Sequence, residues 1–240
     1  MNRTKIEWAT HTWNPVTGCL HGCQYCYARR IASRFATGNG GGEPFVYNNP
    51  DAGPFPAKFD PTFHRYRLDE PANLKKPARI FVVSMGDLFG DWVPDDWIIE
   101  VLWACREAPQ HKYLFLTKNP GRYAELAYKG LLPVDDNFWY GQTCTKGVVK
   151  ALGGSYHQFL SAEPLQGFVD AYGFEWIIIG AETGNRKGKH VPTKQEAFNT
   201  TWLNTGSHFM KDSMLPIVGE ENMVRVIPAG LRLEHERSKS

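Results

Sequence analysis

The stretch WIIIGAETG (residues 176–184) is the clearest instance of the pattern that decides the fold class. Its four leading residues are all apolar, as expected of a strand buried on both faces of a parallel sheet, and a polar segment follows directly. The same pattern of an apolar run with a polar end recurs at residues 80–87, 113–118, 137–143, 158–164 and 208–212. Helix-like segments lie among these runs, at residues 94–107, 120–128 and 193–203. The alternation predicts an α/β fold with a parallel sheet of six or seven strands, compatible with a β/α barrel.

Nearly every predicted strand ends in polar or charged residues. In a β/α barrel, the carboxyl ends of several strands build the active site together. The polar residues at these ends are Ser84, Asp87, Thr117, Lys118, Gln142, Thr143, Ser161, Glu163, Glu182 and Lys211. Strand ends can also be polar simply because they turn into loops, but the repeated choice of such side chains favours a shared site.

The composition is that of an ordinary globular protein. The 240 residues are 42% hydrophobic and 22% charged, which is enough apolar material for a core. We predict a single domain over residues 1–230 with a loop-rich insertion at 38–78, followed by a charged, frayed tail at 231–240. No apolar run approaches the roughly 18 residues of a membrane span. Five cysteines without an apolar leader at residues 1–13 do not suggest secretion, so we expect a cytoplasmic location.

Basic and aromatic residues alternate within residues 58–79, where six lysines and arginines lie among three aromatic side chains. Such a mixture can bind the phosphates and bases of a nucleic acid. The interpretation we favour is that the aromatic residues anchor a long excursion while the charges face water. The net charge of +2 neither requires nor excludes a nucleic-acid partner.

The second informative stretch is GCLHGCQYCYARR (residues 18–30), which carries Cys19, Cys23 and Cys26. Thiolates bind soft metals, and three of them leave a four-coordinate site one ligand short. A zinc site would take a fourth protein ligand such as His21, whereas an iron–sulfur site can leave that position to a substrate or cofactor. The residues favour a cluster over zinc, and zinc over a disulfide framework.

An amphipathic helix is predicted after the cysteines, over residues 24–35. Its apolar face consists of Ala28, Ile31, Ala32 and Phe35, at positions i, i+3, i+4 and i+7. An extended segment at residues 11–17 precedes the cysteines. The cysteines are therefore expected at the carboxyl end of a first strand, on the same edge as the polar strand ends.

The CxxxCxxC spacing, with Tyr25 just before the third cysteine, resembles the signature of the radical S-adenosylmethionine (radical SAM) superfamily. The order of the segments is also similar to the partial β/α barrel of those enzymes. Over nearly its whole length the chain is similar to an uncharacterised radical-SAM-like family frequent in phage and bacterial genomes. The matching stretches are TWNPVTGC, GCQYCYA, VSMGDLFGDWVP, FLTKNP, NFWYGQT, LSAEPL, IIGAETG and FMKDS. The chain departs from many members of that family in the closer spacing of its first two cysteines and in its GAETG segment (residues 180–184).

The resemblance implies that Cys19, Cys23 and Cys26 hold three irons of a 4Fe–4S cluster, and that S-adenosylmethionine chelates the fourth. A reducing partner such as flavodoxin or ferredoxin would supply one electron, and the cofactor would be cleaved to methionine and a 5′-deoxyadenosyl radical that abstracts hydrogen from the substrate. The implied cofactor-binding residues are Tyr25, Ser84, Gly86, Asp87, Thr117, Gln142, Thr143, Ser161 and Lys211. The implied catalytic residues are Lys118, Glu163 and Glu182.

The substrate expected for such an enzyme is a nucleotide, DNA or tRNA, acted on in modification or repair. A small molecule such as a nucleoside precursor is the close variant. The alternative from another class is a non-enzymatic zinc-binding module that uses Cys19, His21, Cys23 and Cys26. A metal-free barrel hydrolase with Glu163 and Glu182 as paired carboxylates is a further, weaker alternative.

Overall fold

The computed structural model describes residues 1–237 and divides into two compact units, Met1–Pro133 (unit 1) and Val134–Ser240 (unit 2). Of the tail predicted to be frayed, residues 238–240 lie outside the described residues. The tail begins with two buried side chains, those of Leu231 and Leu233.

Unit 1 alternates strands and helices. Its strands are β1 (Asn2–Arg3), β2 (His11–Trp13), β3 (Val16–Thr17), β4 (Phe45–Tyr47), β5 (Thr62–His64), β6 (Arg79–Val82) and β7 (Lys112–Thr117). Its helices are α1 (Tyr27–Phe35), α2 (Glu70–Asn73), α3 (Asp95–Arg106) and α4 (Gly121–Tyr128).

The strands of unit 1 pair in the order β1-β2-β6-β7. The short β1 is antiparallel to β2, whereas β2, β6 and β7 run parallel. Every residue of β6 is buried, as its continuous apolar run predicts. The parallel arrangement brings the carboxyl ends of β2, β6 and β7 to one edge of this sheet.

A small second sheet, in the order β3-β5-β4, pairs two strands of the predicted insertion, β4 and β5, with β3, which precedes the cysteines. The aromatic rings of Phe59 and Phe63 are buried there, while Lys58, Lys75 and Lys76 are exposed. The aromatic residues therefore anchor the excursion and most of its charges face water. This placement of Phe59, Phe63 and the three lysines is the one that the favoured interpretation of the sequence predicts.

The helix α1 differs from the sequence-based prediction in which face it buries. Ala28 and Ala32 pack against Phe55 and Phe59, as expected. The prediction was wrong for Ile31 and Phe35, because both side chains are exposed. Alanine allows the helix to approach the insertion closely, and the larger apolar side chains are left on the outer surface.

Unit 2 contains a second run of strands. These are β8 (Phe138–Thr143), β9 (Gly147–Lys150), β10 (His157–Ala162), β11 (Val169–Tyr172), β12 (Trp176–Ile179) and β13 (Ser207–Met210). Its helices are α5 (Lys194–Trp202), α6 (Leu215–Val218) and α7 (Glu234–Arg237).

The strands β8, β10, β12 and β13 pair in that order, and all are parallel. The fully buried β12 has the bounds predicted for the opening stretch. A capping box of Thr193 and Glu196 starts α5, which connects β12 to β13. The connections on either side of β10 carry β9 and β11, which pair with each other in parallel instead of forming helices.

The predicted α/β class with parallel strands is confirmed in both units. The partial β/α barrel and the single domain over residues 1–230 stay predictions. Among the described residues, no helix is long and apolar enough to cross a membrane.

Candidate functional site

The loop that carries the cysteines connects β3 to α1 and is tied to two other segments of unit 1. The backbone N–H of Gly18 donates to the Met85 carbonyl at 2.9 Å, and that of Cys19 donates to the Phe59 carbonyl at 3.0 Å. Gly18 has a φ of 89°, and a Cβ at this position would lie 2.1 Å from the Asp60 carbonyl oxygen. Only glycine fits there, so the loop has a fixed start directly beyond a strand end.

All three cysteines of the loop are free thiols and half-buried. Cys26 caps the N-terminus of α1, where its Sγ accepts from the Arg29 backbone N–H at 3.3 Å. The pKa of Cys19 is raised to about 12, chiefly by burial and further by the nearby charges of Asp87, Cys23 and Cys26. The Cys19 thiol is therefore strongly held in its neutral form by its surroundings.

Cysteine thiols are the ligands that iron–sulfur clusters take, and three of them lie here on one loop beyond a strand end. Their positions are not those of a closed metal site. Nowhere in residues 1–237 do three or more His, Cys, Asp or Glu side chains form a group that could hold a metal ion. The thiols would have to draw together to share one cluster.

Asp87 is the polar centre of this region and is almost fully buried. Its Oδ2 lies 2.7 Å from His21 Nε2 and accepts from the Thr117 hydroxyl and the Lys118 backbone N–H, each at 3.0 Å. Its Oδ1 accepts from the Phe89 backbone N–H at 3.0 Å. One carboxylate thus joins the cysteine loop, the turn after β6 and the end of β7.

The turn after β6 brings Gly86 against the cysteine loop. Val83 begins the turn with a φ of 59°, a left-handed conformation that β-branched residues rarely adopt. Gly86 forms an isolated bridge with Gly18, and a Cβ at Gly86 would lie 2.7 Å from the Gly18 carbonyl oxygen. Glycine is therefore required for this close approach of two backbones.

The other predicted residues of unit 1 lie around the same loop. The Ser84 hydroxyl donates to Asn14 Oδ1 at 3.2 Å, and the Ser84 carbonyl accepts from the Tyr27 hydroxyl at 2.7 Å. The ammonium of Lys118 lies 5.7 Å from the centre of the Tyr25 ring, which is the geometry of a cation–π contact.

In unit 2, the predicted residues Ser161, Glu163 and Lys211 form one cluster. The ammonium of Lys211 lies 2.7 Å from Glu163 Oε2, and the Ser161 hydroxyl donates to Glu163 Oε1 at 3.3 Å. About a fifth of the Glu163 side chain and a quarter of the Lys211 side chain are exposed. Gly180 lies beside the pair, because a Cβ there would come within 3.1 Å of both side chains.

The other predicted residues of unit 2 are Glu182, Gln142 and Thr143. Glu182 is paired with Arg186 through two hydrogen bonds of 2.6 and 2.7 Å. Gln142 is buried, and its amide donates to the Lys150 carbonyl at 3.2 Å, whereas Thr143 is half-buried at the end of β8. Glu182 contacts Arg186 and Glu163 contacts Lys211, so each of the two carboxylates has a cation beside it.

Sequence reasoning missed three residues that organise these clusters. Asn14 accepts from both the Ser84 hydroxyl and the Met85 backbone N–H, and His21 contacts Asp87 instead of serving only as a potential zinc ligand. Arg186 neutralises Glu182, and their spacing of four residues was the available signal. The pairing of His21 with Asp87 has no signal in the sequence, since 66 residues separate them.

The family model described as "Protein of unknown function (DUF5131)" matches residues 3–210, so the chain belongs to this family. No curated protein and no solved structure matches the chain significantly.

Proposed function

We propose that this member of the DUF5131 family is a radical SAM enzyme. The observation that supports the proposal most strongly is the set of three free, half-buried thiols, Cys19, Cys23 and Cys26, on one loop beyond a strand end. Their CxxxCxxC spacing and the adjacent Tyr25 carry the resemblance to that superfamily. The partial β/α barrel and the cytoplasmic location belong to the same proposal.

In this proposal, the three cysteines hold three irons of a 4Fe–4S cluster. Such a cluster would supply the one-electron reducing chemistry for cleavage of S-adenosylmethionine, and Cys19, Cys23 and Cys26 would be its protein ligands. The electron comes from a reducing protein of the flavodoxin or ferredoxin class. The chain's own residues position the loop, the cofactor and the substrate.

The contacts of Asp87 support a positioning role for this residue. The sequence-based expectation was that its carboxylate binds the ammonium group of the cofactor. That carboxylate already contacts His21, Thr117, and the backbone N–H groups of Phe89 and Lys118. We therefore assign Asp87 to holding the cysteine loop through His21, and we keep the assignment of Gly86 to methionine and of Tyr25 to adenine.

Lys118 is the residue of unit 1 that we assign to an anionic group of the substrate or cofactor. Its ammonium is half-buried and lies over the Tyr25 ring, next to the cysteine loop. The assignments in unit 2 remain as predicted from the sequence: Ser161, Gln142, Thr143 and Lys211 to the cofactor, and Glu163 and Glu182 to catalysis. Glu163 and Lys211 support these assignments best, because solvent still reaches part of each side chain of their ion pair.

A nucleotide, DNA or tRNA is the proposed substrate class, with modification or repair as the reaction type. The non-enzymatic zinc module is less well supported, since His21 contacts Asp87 at 2.7 Å and would have to leave that contact to bind zinc with the thiols.

The test is the metal content of the protein after anaerobic reconstitution with iron and sulfide. We expect about four irons per chain, lost in Cys23→Ala and kept in the control Cys144→Ala, whose thiol lies outside the loop. His21→Gln removes the imidazole but keeps an N–H donor for Asp87, so the iron should remain. Stoichiometric zinc that His21→Gln abolishes, without any iron–sulfur cluster, would overturn the proposal in favour of the zinc module.

A further inference from the structure

The outer face of α1 carries an apolar stripe, which consists of Tyr27, Ile31 and Phe35. These residues are spaced by four positions, so their side chains lie in one row along the helix. Their exposed fractions are 46%, 36% and 58%. The stripe begins one residue after Cys26, so it extends away from the cysteine loop along unit 1.

Two arginines run beside the stripe. Arg30 and Arg34 are exposed, and they are spaced by four residues in the neighbouring row of the helix. Neither makes an ion pair within residues 1–237. The third arginine of the helix, Arg29, is engaged instead with the Cys19 carbonyl at 2.9 Å and with the Phe59 ring.

The charged side chains in the segment around α1 are all positive. Residues 8–42 contain three arginines and no acidic residue, so this segment carries +3 in a chain whose net charge is only +2. A helix with exposed aromatic rings in one row and free guanidinium groups in the next is complementary to a polyanion with flat apolar faces.

These observations fit a single-stranded nucleic acid better than a protein. Single strands bind where aromatic rings stack on bases and cations contact the phosphates, and the pattern of α1 offers both along one line. A stable protein interface buries about 800 Å² on each partner. The outer face of α1 is one side of a nine-residue helix only about 14 Å long, which is too small to supply that area by itself. A duplex keeps its bases stacked on each other and leaves them no face for Tyr27 or Phe35.

We propose that the outer face of α1, formed by Tyr27, Ile31, Phe35, Arg30 and Arg34, binds a single-stranded nucleic acid beside the cysteine loop. The inference rests on the proposed function, because it names the class of substrate that the proposed radical SAM site would act on. It assigns nucleic-acid binding to α1 instead of the excursion at residues 58–79, where the rings of Phe59 and Phe63 are buried.

The experiment measures binding of fluorescein-labelled oligonucleotides of roughly 12 nucleotides by fluorescence anisotropy at several salt concentrations. Single-stranded DNA, single-stranded RNA of the same sequence and a duplex are the three probes. The full chain is used without iron, so the result does not depend on a cluster. We expect the single strands to bind and the duplex to bind more weakly, and the better of DNA and RNA identifies the substrate type.

Two variants test the surface. Arg30→Gln/Arg34→Gln should weaken single-strand binding about tenfold at low salt and reduce the slope of log K against log salt by roughly 1.4, because two phosphate contacts are lost. Phe35→Ala should weaken binding about tenfold with little change in the salt slope, because it removes a stacked ring. All three side chains are exposed, so circular dichroism should show an unchanged fold.

The matched control is Lys75→Gln/Lys76→Gln, which removes the same charge from two exposed side chains of unit 1. It should bind oligonucleotides as the unchanged protein does. The inference is overturned if the unchanged protein binds no single strand, or if the lysine variant loses as much affinity as the arginine variant. It is also overturned if the arginine variant keeps oligonucleotide binding but loses binding to an acidic reductant such as flavodoxin.

The outcomes also separate this inference from the proposed function. Oligonucleotide binding without any iron uptake would retain the α1 surface and reject the radical SAM assignment. Iron uptake by a protein that binds no single-stranded oligonucleotide would retain the radical SAM assignment and reject the α1 surface.

Discussion

The two units hold the carboxylates at their strand ends in different ways. In unit 1, the Asp87 side chain is only 5% exposed and is bound by an imidazole, a hydroxyl and two backbone N–H groups. In unit 2, Glu163 is paired with Lys211, and 20% and 24% of the two side chains are exposed. The first arrangement fixes three segments of backbone, and the second joins two flexible side chains.

This difference indicates different roles. A buried carboxylate with several donors is costly to disturb, since each donor would be left without a partner. An ion pair that solvent reaches contributes little to stability and can exchange its partner for a ligand. We therefore expect unit 1 to contain the rigid support of the cysteine loop and unit 2 to contain an ion pair that a ligand can reach.

The largest expected effect is the loss of the Asp87 contacts. Asp87→Ala should lower the free energy of unfolding by about 3 kcal/mol or more, because it leaves a buried hydroxyl and two backbone N–H groups unpaired. Glu163→Ala should cost less, about 1–2 kcal/mol, since its ion pair is partly exposed. Chemical denaturation of both variants measures the difference. Equal losses would remove the distinction between the two units.

Acid should destabilise the protein through buried histidines, of which His64 in unit 1 shows the largest shift. Burial, with a smaller contribution from the charge of Arg67, lowers the pKa of His64 from 6.5 to about 3. Between these values the unfolded chain binds a proton that the folded chain does not, so the free energy of unfolding falls as the pH falls. The loss from this residue is about 1.4 kcal/mol per pH unit, or roughly 2–3 kcal/mol near pH 4.5.

The pH prediction is checked by denaturation at a series of pH values with His64→Gln as the comparison. Glutamine does not titrate and can still contact the Thr17 hydroxyl, which lies 2.8 Å from His64 Nε2. The slope of stability against pH should be shallower in this variant by about one proton. Some acid dependence should remain, because burial also lowers the pKa values of His111 in unit 1 and His208 in unit 2. An unchanged slope would mean that His64 titrates normally in the folded protein.

The smallest expected effects on stability come from replacing Gly86 and Gly180 with alanine. A Cβ at Gly86 would meet the Gly18 carbonyl oxygen at 2.7 Å, and backbone cannot move aside easily. A Cβ at Gly180 would meet the Glu163 and Lys211 side chains at 3.1 Å, and these can rotate. We expect Gly86→Ala to cost about 1–3 kcal/mol and Gly180→Ala less than about 1 kcal/mol.

Thermal unfolding of the two alanine variants measures this comparison. The reverse order of stabilities would show that the Glu163–Lys211 pair is the more rigid of the two regions.

The sequence predicted those helices and strands that a short stretch of neighbouring residues specifies by itself. The apolar run of β12 and the acidic first turn of α3 each specify an element by themselves, and both have nearly the predicted bounds. The strands β9 and β11 were missed, because they are four residues long and mostly exposed or half-buried, so they lack an apolar run. Their pairing with each other depends on contacts that no short stretch encodes.

The candidate site was predictable only in part for a related reason. Parallel strands imply that Asp87, Thr117 and Lys118 share an edge, and they do contact one another. That His21 would reach Asp87 depends on the path of the cysteine loop, which is set by backbone contacts of Gly18 and Cys19. The exposed face of α1 was mispredicted because helical periodicity identifies an apolar face but not whether a neighbour covers it.

The measurement that tests the central claim most directly is the yield of 5′-deoxyadenosine. The reconstituted protein is incubated anaerobically with dithionite and S-adenosylmethionine, and the product is quantified for the unchanged protein, Cys23→Ala and the control Cys144→Ala. We predict 5′-deoxyadenosine from the unchanged protein and from Cys144→Ala, and none from Cys23→Ala. An unchanged protein that carries its full complement of iron and sulfide but forms no 5′-deoxyadenosine, or a Cys23→Ala variant that forms as much, would contradict the assignment of Cys19, Cys23 and Cys26 to radical SAM chemistry.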